Sequence, residues 1–164
     1  GEVCRPLTAV FLHGGLMHLF FNMFTLHWAG GRLEEMRGPR ELVLFYLVGG
    51  VAANLFYLLM QVADVAPPNR AIGASGAVTA ALVVFACFHP YAQLRLYFFI
   101  PVPAWLVAVL FVGLDVLLGF GNFGGRVAYF VHIGGAIFGL LYFQTGVQFG
   151  KLFARGERPR ARPR

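Results

Sequence analysis

The chain has 164 residues, of which 59% are hydrophobic and 12% charged, with a formal net charge of +6 and a mean hydropathy of +0.71. A soluble domain carries about a quarter charged residues, so this composition excludes a water-covered globule, and the length allows one domain. The basic excess is not a stripe of the kind that tracks nucleic acid: six of the 13 basic residues lie between Lys151 and Arg164, and Arg32, Arg37 and Arg40 flank one short connection.

Five apolar stretches approach the roughly 20 residues that a membrane helix requires: 16–31, 42–60, 72–88, 96–118 and 127–149. They predict an all-α bundle of transmembrane helices over residues 1–150, followed by a basic tail, 151–164, expected to be disordered. The connections 32–41, 64–71, 89–95 and 119–126 carry the Pro, Gly and charged punctuation. Arg32, Arg37, Arg40 and Arg95 and the six basic residues of the tail fall on one side, against Arg5, Arg70 and Arg126 on the other. The positive-inside rule then places the C-terminus in the cytoplasm and the N-terminus outside, in what is expected to be a bacterial plasma membrane. Cys4 and Cys87 fall on opposite sides, which argues against a disulfide. Gly76, Ala77, Ala80 and Ala81 on the third stretch and Gly135 and Gly139 on the fifth predict close packing of these two helices.

Polar groups inside a membrane are costly and mark candidate functional sites. With the orientation above, His18 and Asn22 lie near the start of the first helix, Ser75 at the start of the third and His132 near the start of the fifth. At a rise of about 1.5 Å per residue, all four lie within roughly 10 Å of the outer membrane edge. Ser75 is the only serine in the chain and stands between glycines in Gly73-Ala74-Ser75-Gly76, which favours exposure of its hydroxyl; alone, it reads as well as a helix cap. His132 suits a general base, or a histidine bonded to a neighbouring carbonyl. His18 and Asn22, four apart, share a helix face and suit either oxyanion stabilisation or an interhelical polar clamp. His13 is expected near the surface, His27 on the far side of its helix, and His89 at the cytoplasmic end. No acidic residue is obviously placed to orient His132, so a serine–histidine dyad is expected. Asp115 is read as structural, pairing with Arg126 or approaching the site. Asn54 is expected to make an interhelical hydrogen bond, and Glu34 to order the first connection with Arg32, Arg37 and Arg40.

The arrangement resembles the rhomboid intramembrane proteases at His13-xxxx-His18-xxx-Asn22, Gly73-Ala74-Ser75-Gly76 and His132-Ile133-Gly134-Gly135-xxx-Gly139, and in the stretch from Gly31 to Gly38 that includes Glu34. The resemblance covers about residues 8–149. It implies Ser75 as nucleophile, His132 as base, and His18, Asn22 and the Ser75 backbone N–H as oxyanion donors. Neither metal nor cofactor is implied, and the partners implied are transmembrane protein substrates in the bilayer rather than nucleic acid. The family core has six helices, and the first stretch here resembles its second, so the first family helix is expected to lie outside this sequence. Family members often carry an aromatic residue four positions after the serine; here it is Thr79, and Tyr129 is the expected substitute cover for His132.

Rival chemistries lack their residues. The lone lysine, Lys151, is at the cytoplasmic end, no HExxH occurs, and Asp115 is the only candidate for a membrane aspartate. A non-catalytic rhomboid-like protein that binds membrane clients is the main alternative, and retention of both serine and histidine argues against it. A transporter or redox subunit would spread its histidines over two depths.

Overall fold

The structure is a computed structural model and describes residues 4–66, 73–96, 100–121 and 129–153. It is an all-α bundle. A short helix α1 (Arg5–Thr8) and a 3-10 turn (Ala9–Phe11) lead into α2 (Leu16–Thr25), which runs on through one π-helical turn (Leu26–Gly30) into α3 (Gly31–Arg37). Then come α4 (Pro39–Val62), α5 (Ser75–Phe88), strands β1 (Gln93–Leu96) and β2 (Ile100–Pro103), α6 (Ala104–Phe120), α7 (Tyr129–Thr145) and α8 (Phe149–Phe153). The five expected helices are present, with several boundaries moved. The first continues to Arg37 because Arg, Leu, Glu and Met are good helix formers whether or not they are apolar. The connection to α4 shrinks to Gly38, whose φ of +90° ends one helix while Pro39 begins the next.

The fourth helix starts at Ala104 rather than at position 96. Residues 93–103 form an antiparallel hairpin in which Gln93 pairs with Pro103 and Leu96 with Ile100. Pro101 and Pro103 break helical hydrogen bonding in a run whose hydropathy alone reads as continuous. The helical turn α8 crosses the expected 150/151 boundary, and the tail beyond Phe153 lies outside the described residues.

Helix α5 is the axis of the bundle, and every residue from Gly76 to Ala86 is buried. Its small side chains let α7 approach to backbone contact: a Cβ on Gly135 would collide with the Gly76 carbonyl, and one on Gly139 would lie 2.7 Å from the Ala80 oxygen. This is the packing expected of the third and fifth stretches. The outside of the bundle is apolar, with Leu16 84% exposed and Leu117 63% exposed. Among the described residues, one helix, Pro39–Val62, is long and apolar enough by itself to cross a membrane; Arg5–Phe11 and Leu16–Arg37, bent by 92°, pass the same test only together, and Ser75–Phe88 and Ala104–Phe120 are shorter apolar helices.

A polar cluster closes the end of the bundle where α3 meets α4. Glu41, 1% exposed, accepts the Tyr142 hydroxyl at 2.6 Å and the backbone N–H groups of Phe149 and Gly150 at 3.0 and 2.5 Å. Arg37 donates to the Val147 carbonyl at 2.8 Å and lies 4.8 Å from the centre of the Tyr142 ring. Arg32 pairs with Glu35 rather than with Glu34, so Glu41, not Glu34, organises this end.

Candidate active site

The opposite end of the bundle holds the predicted polar residues. The segment before α2 is pinned across α4: Tyr46 donates its hydroxyl to the Val10 carbonyl at 3.0 Å, and Asn54 its amide to the Pro6 carbonyl at 2.8 Å. Asn54 thus ties the N-terminal segment down. The same segment receives the start of α5, where the Gly73 N–H donates to the Ala9 carbonyl at 2.8 Å.

Ser75 is the first residue of α5 and is half-buried. The first backbone bond of this helix runs from the Val78 N–H to the Ala74 carbonyl, so the Ser75 N–H precedes the hydrogen-bonded ladder. Two residues earlier, Gly73 has a φ of +119°. A side chain there would be strained, and its Cβ would lie 2.8 Å from Cε1 of His18 and 3.2 Å from the Leu12 carbonyl oxygen. The imidazole of His18 therefore rests against the turn that presents Ser75. The Gly14 N–H donates to Nδ1 of His18 at 3.2 Å. With Nδ1 an acceptor, the proton of the neutral ring is on Nε2.

Asn22 is buried one turn deeper on α2. One N–H of its amide donates to the His18 carbonyl at 2.8 Å, which leaves the amide a second N–H. His13 is not at the surface as expected. It is half-buried, its ring centre is 5.4 Å from that of His18 in an edge-on contact, and its Nε2 is buried without a hydrogen-bond partner among the described residues. His27 and His89 are both exposed.

His132 is the fourth residue of α7. Its neighbour Val131 sits on Gly76, the neighbour of Ser75: a Cβ on Gly76 would lie 2.8 Å from the Val131 side chain and 3.2 Å from its carbonyl oxygen. The α5–α7 crossing thus sets the sequence neighbours of Ser75 and His132 against each other at the same end of the bundle.

Asp115 takes the second of its two expected placements, at the site, whereas the presence of an orienting acid and the cover of the His132 ring differ from expectation. Asp115 stands beside His132, with Oδ2 3.1 Å from Nδ1, so an acidic residue is placed to orient the ring. The proposed partner Arg126 lies outside the described residues. The ring is covered by Phe111, with centres 5.4 Å apart and planes inclined by 32°, not by Tyr129. Phe111 and Asp115 are four apart on α6 and so share a face. The signal for them was present, since Asp115 is the only charge in the 17 residues of α6, and a lone membrane carboxylate faces a partner.

A family model described as "Rhomboid domain" matches residues 1–149. Among curated proteins, the chain is 36% identical over 152 residues to RHOMBOID-like protein 12, mitochondrial, of Arabidopsis thaliana, covering 83% of this chain and 44% of the relative. It is 32% identical over 83 residues to Inactive RHOMBOID-like protein 8 of the same plant, covering 49% of this chain and 24% of the relative. It is 30% identical over 139 residues to Rhomboid protease GluP of Bacillus subtilis, covering 85% of this chain and 25% of the relative. The chain thus spans less than half the length of these relatives, and the mitochondrial name of the first is at odds with the bacterial membrane expected. The match over nearly all of the bundle, on a fold that gathers the serine and histidine positions at one end, means that the chain belongs to the rhomboid family, whose members are embedded in membranes.

Proposed function

We propose that the chain is the core of an intramembrane serine endopeptidase that cleaves transmembrane segments of membrane proteins near the extracytoplasmic side. The observation that carries this reading is the crossing of α5 and α7 at Gly76, Val131 and Gly135, beside the chain's lone serine and His132. The Ser75 hydroxyl attacks the scissile carbonyl as its proton passes to Nε2 of His132. The histidine then returns the proton to the leaving amine, and water hydrolyses the acyl-enzyme by the same route. The tetrahedral oxyanion is held by the Ser75 N–H, the Nε2–H of His18 and the second N–H of Asn22. Donors fixed before the reaction cost no reorganisation when the charge develops.

The apolar exterior supports a multi-pass placement in the bilayer, since a soluble monomer seldom exposes an apolar surface of this extent. The basic bias supports a cytoplasmic C-terminus. Similarity to GluP favours a protease, and similarity to the inactive Arabidopsis relative favours the second reading, a non-catalytic protein that binds membrane clients.

Labelling with a fluorophosphonate serine probe, followed by peptide mapping, separates them. The expected adduct is on Ser75 and disappears in Ser75→Ala and His132→Ala. Absence of label in the folded wild-type protein, together with no cleavage of a transmembrane model substrate, would support the client-binding reading.

A further inference from the structure

We infer that Asp115 is a positioning residue that sets the tautomer of His132, so that this site works as a triad rather than a dyad; the inference rests on the protease reading above. The carboxylate is on α6, and its side chain is 8% exposed beside a His132 side chain that is 13% exposed. In an apolar helix without another charge, a carboxylate is costly unless a hydrogen bond compensates it. Its bond to His132, at 3.1 Å, supplies that compensation. The same face of α6 places Phe111 against the ring, so one helix holds the imidazole both by its nitrogen and across its plane.

An ionised carboxylate only accepts hydrogen bonds. Nδ1 of a neutral His132 must then carry the ring proton, which leaves the lone pair on Nε2, the nitrogen required to take the Ser75 proton. When His132 becomes protonated, both nitrogens carry hydrogen and the adjacent carboxylate stabilises the cation. A protonated Asp115 would donate to Nδ1 and force the proton onto Nε2, a tautomer that cannot accept from serine. His18 meets the opposite condition, because its Nδ1 faces the Gly14 N–H, a donor. The two histidines of the site are therefore held in opposite tautomers, one to donate and one to accept.

The test compares the full-length wild type with Asp115→Asn and Asp115→Glu in bilayers, by cleavage kinetics, thermal midpoint and nitrogen-15 NMR of the histidine rings, with His132→Gln to assign the signal. The expected wild-type ring is protonated at Nδ1. Asp115→Asn should shift the proton toward Nε2 and lower kcat at least about 100-fold, with KM and the thermal midpoint little changed, because the wrong tautomer blocks the base. Asp115→Glu should recover part of kcat. A kcat within tenfold of wild type in Asp115→Asn, with the Nδ1 proton retained, would overturn the inference. If the asparagine variant does not fold, the wild-type tautomer decides: an Nε2 proton refutes the positioning role and an Nδ1 proton supports it. If the wild type cleaves nothing and matches Ser75→Ala, the protease reading fails, while the tautomer still tests the pairing by itself.

Discussion

His18 and His132 face partners of opposite kind at the same ring nitrogen: a backbone N–H from Gly14 at 3.2 Å on one, and the Asp115 carboxylate at 3.1 Å on the other. On the protease reading, the same side chain is thereby prepared for two tasks within one site. The difference is made by what α6 and the turn before α2 present to each ring.

His18→Ala is expected to lower kcat by about 100- to 1,000-fold, the loss typical of one oxyanion donor, or about 2.7–4 kcal/mol. KM should change little, since the charge that the donor stabilises develops only in the transition state. Steady-state kinetics on a transmembrane model substrate decides this, and a rise in KM with unchanged kcat would make His18 a substrate-binding residue instead.

Asn22→Ala should reduce kcat clearly while shifting the thermal midpoint only modestly. Its observed bond is to the His18 carbonyl of its own helix, and even a membrane interhelical hydrogen bond averages only about 0.6 kcal/mol. Combined with His18→Ala, the loss should be smaller than the sum, because on the protease reading both donors serve one oxyanion. A variant that melts several degrees early yet cleaves at the wild-type kcat would identify Asn22 as a structural clamp.

Gly135→Ala should destabilise the bundle, because its methyl group meets the Gly76 carbonyl. Overpacking of this kind costs about 1–3 kcal/mol, and here it also pushes apart the helices that carry Ser75 and His132. Gly113→Ala on α6, where a Cβ meets nothing within 4 Å, is the control and should melt at or slightly above the wild-type midpoint. Equal melting of the two variants would mean that the α5–α7 contact is looser than it stands here.

Glu41→Ala should lower the thermal midpoint strongly, since it leaves the Tyr142 hydroxyl and two backbone N–H groups without their acceptor. Each buried group left unpaired costs about 1–3 kcal/mol. Glu41→Gln keeps one acceptor oxygen and should lose less. Glu34→Ala, at an exposed position, should match the wild type. Thermal unfolding of the three variants, followed by tryptophan fluorescence, ranks them.

The orientation is checked with an impermeant maleimide on intact cells, using single cysteines at exposed positions in a background lacking Cys4 and Cys87. Val65→Cys, just past α4 at the candidate active-site end of the bundle, should be labelled from outside, and Met36→Cys, on α3 at the other end, should be labelled only after lysis. The reverse pattern would invert the topology and place Ser75 on the cytoplasmic side.

Much of this protein is legible in the order of its residues. Hydropathy locates five helices, because each must bury its own backbone polar groups in lipid. The basic residues at the ends of the apolar runs mark a side. Ser75, His132, His18 and Asn22 stand at one depth by counting residues along helices, and Gly135 and Gly139 announce a close approach because a missing side chain is visible in a sequence. The hairpin at 93–103 escapes that reading, since hydropathy does not register that Pro101 and Pro103 have no N–H to give a helix. Only the tertiary structure decides which side chains from different helices touch. It brings Asp115 and Phe111 from α6 onto His132, sets Gly14 against His18, and turns Glu41 rather than Glu34 inward to hold Tyr142 and the start of α8. These pairings depend on helix rotation and crossing, and neither has a local signature. A shift of one residue in the facing of α6 would leave its hydropathy unchanged and remove the carboxylate from the histidine.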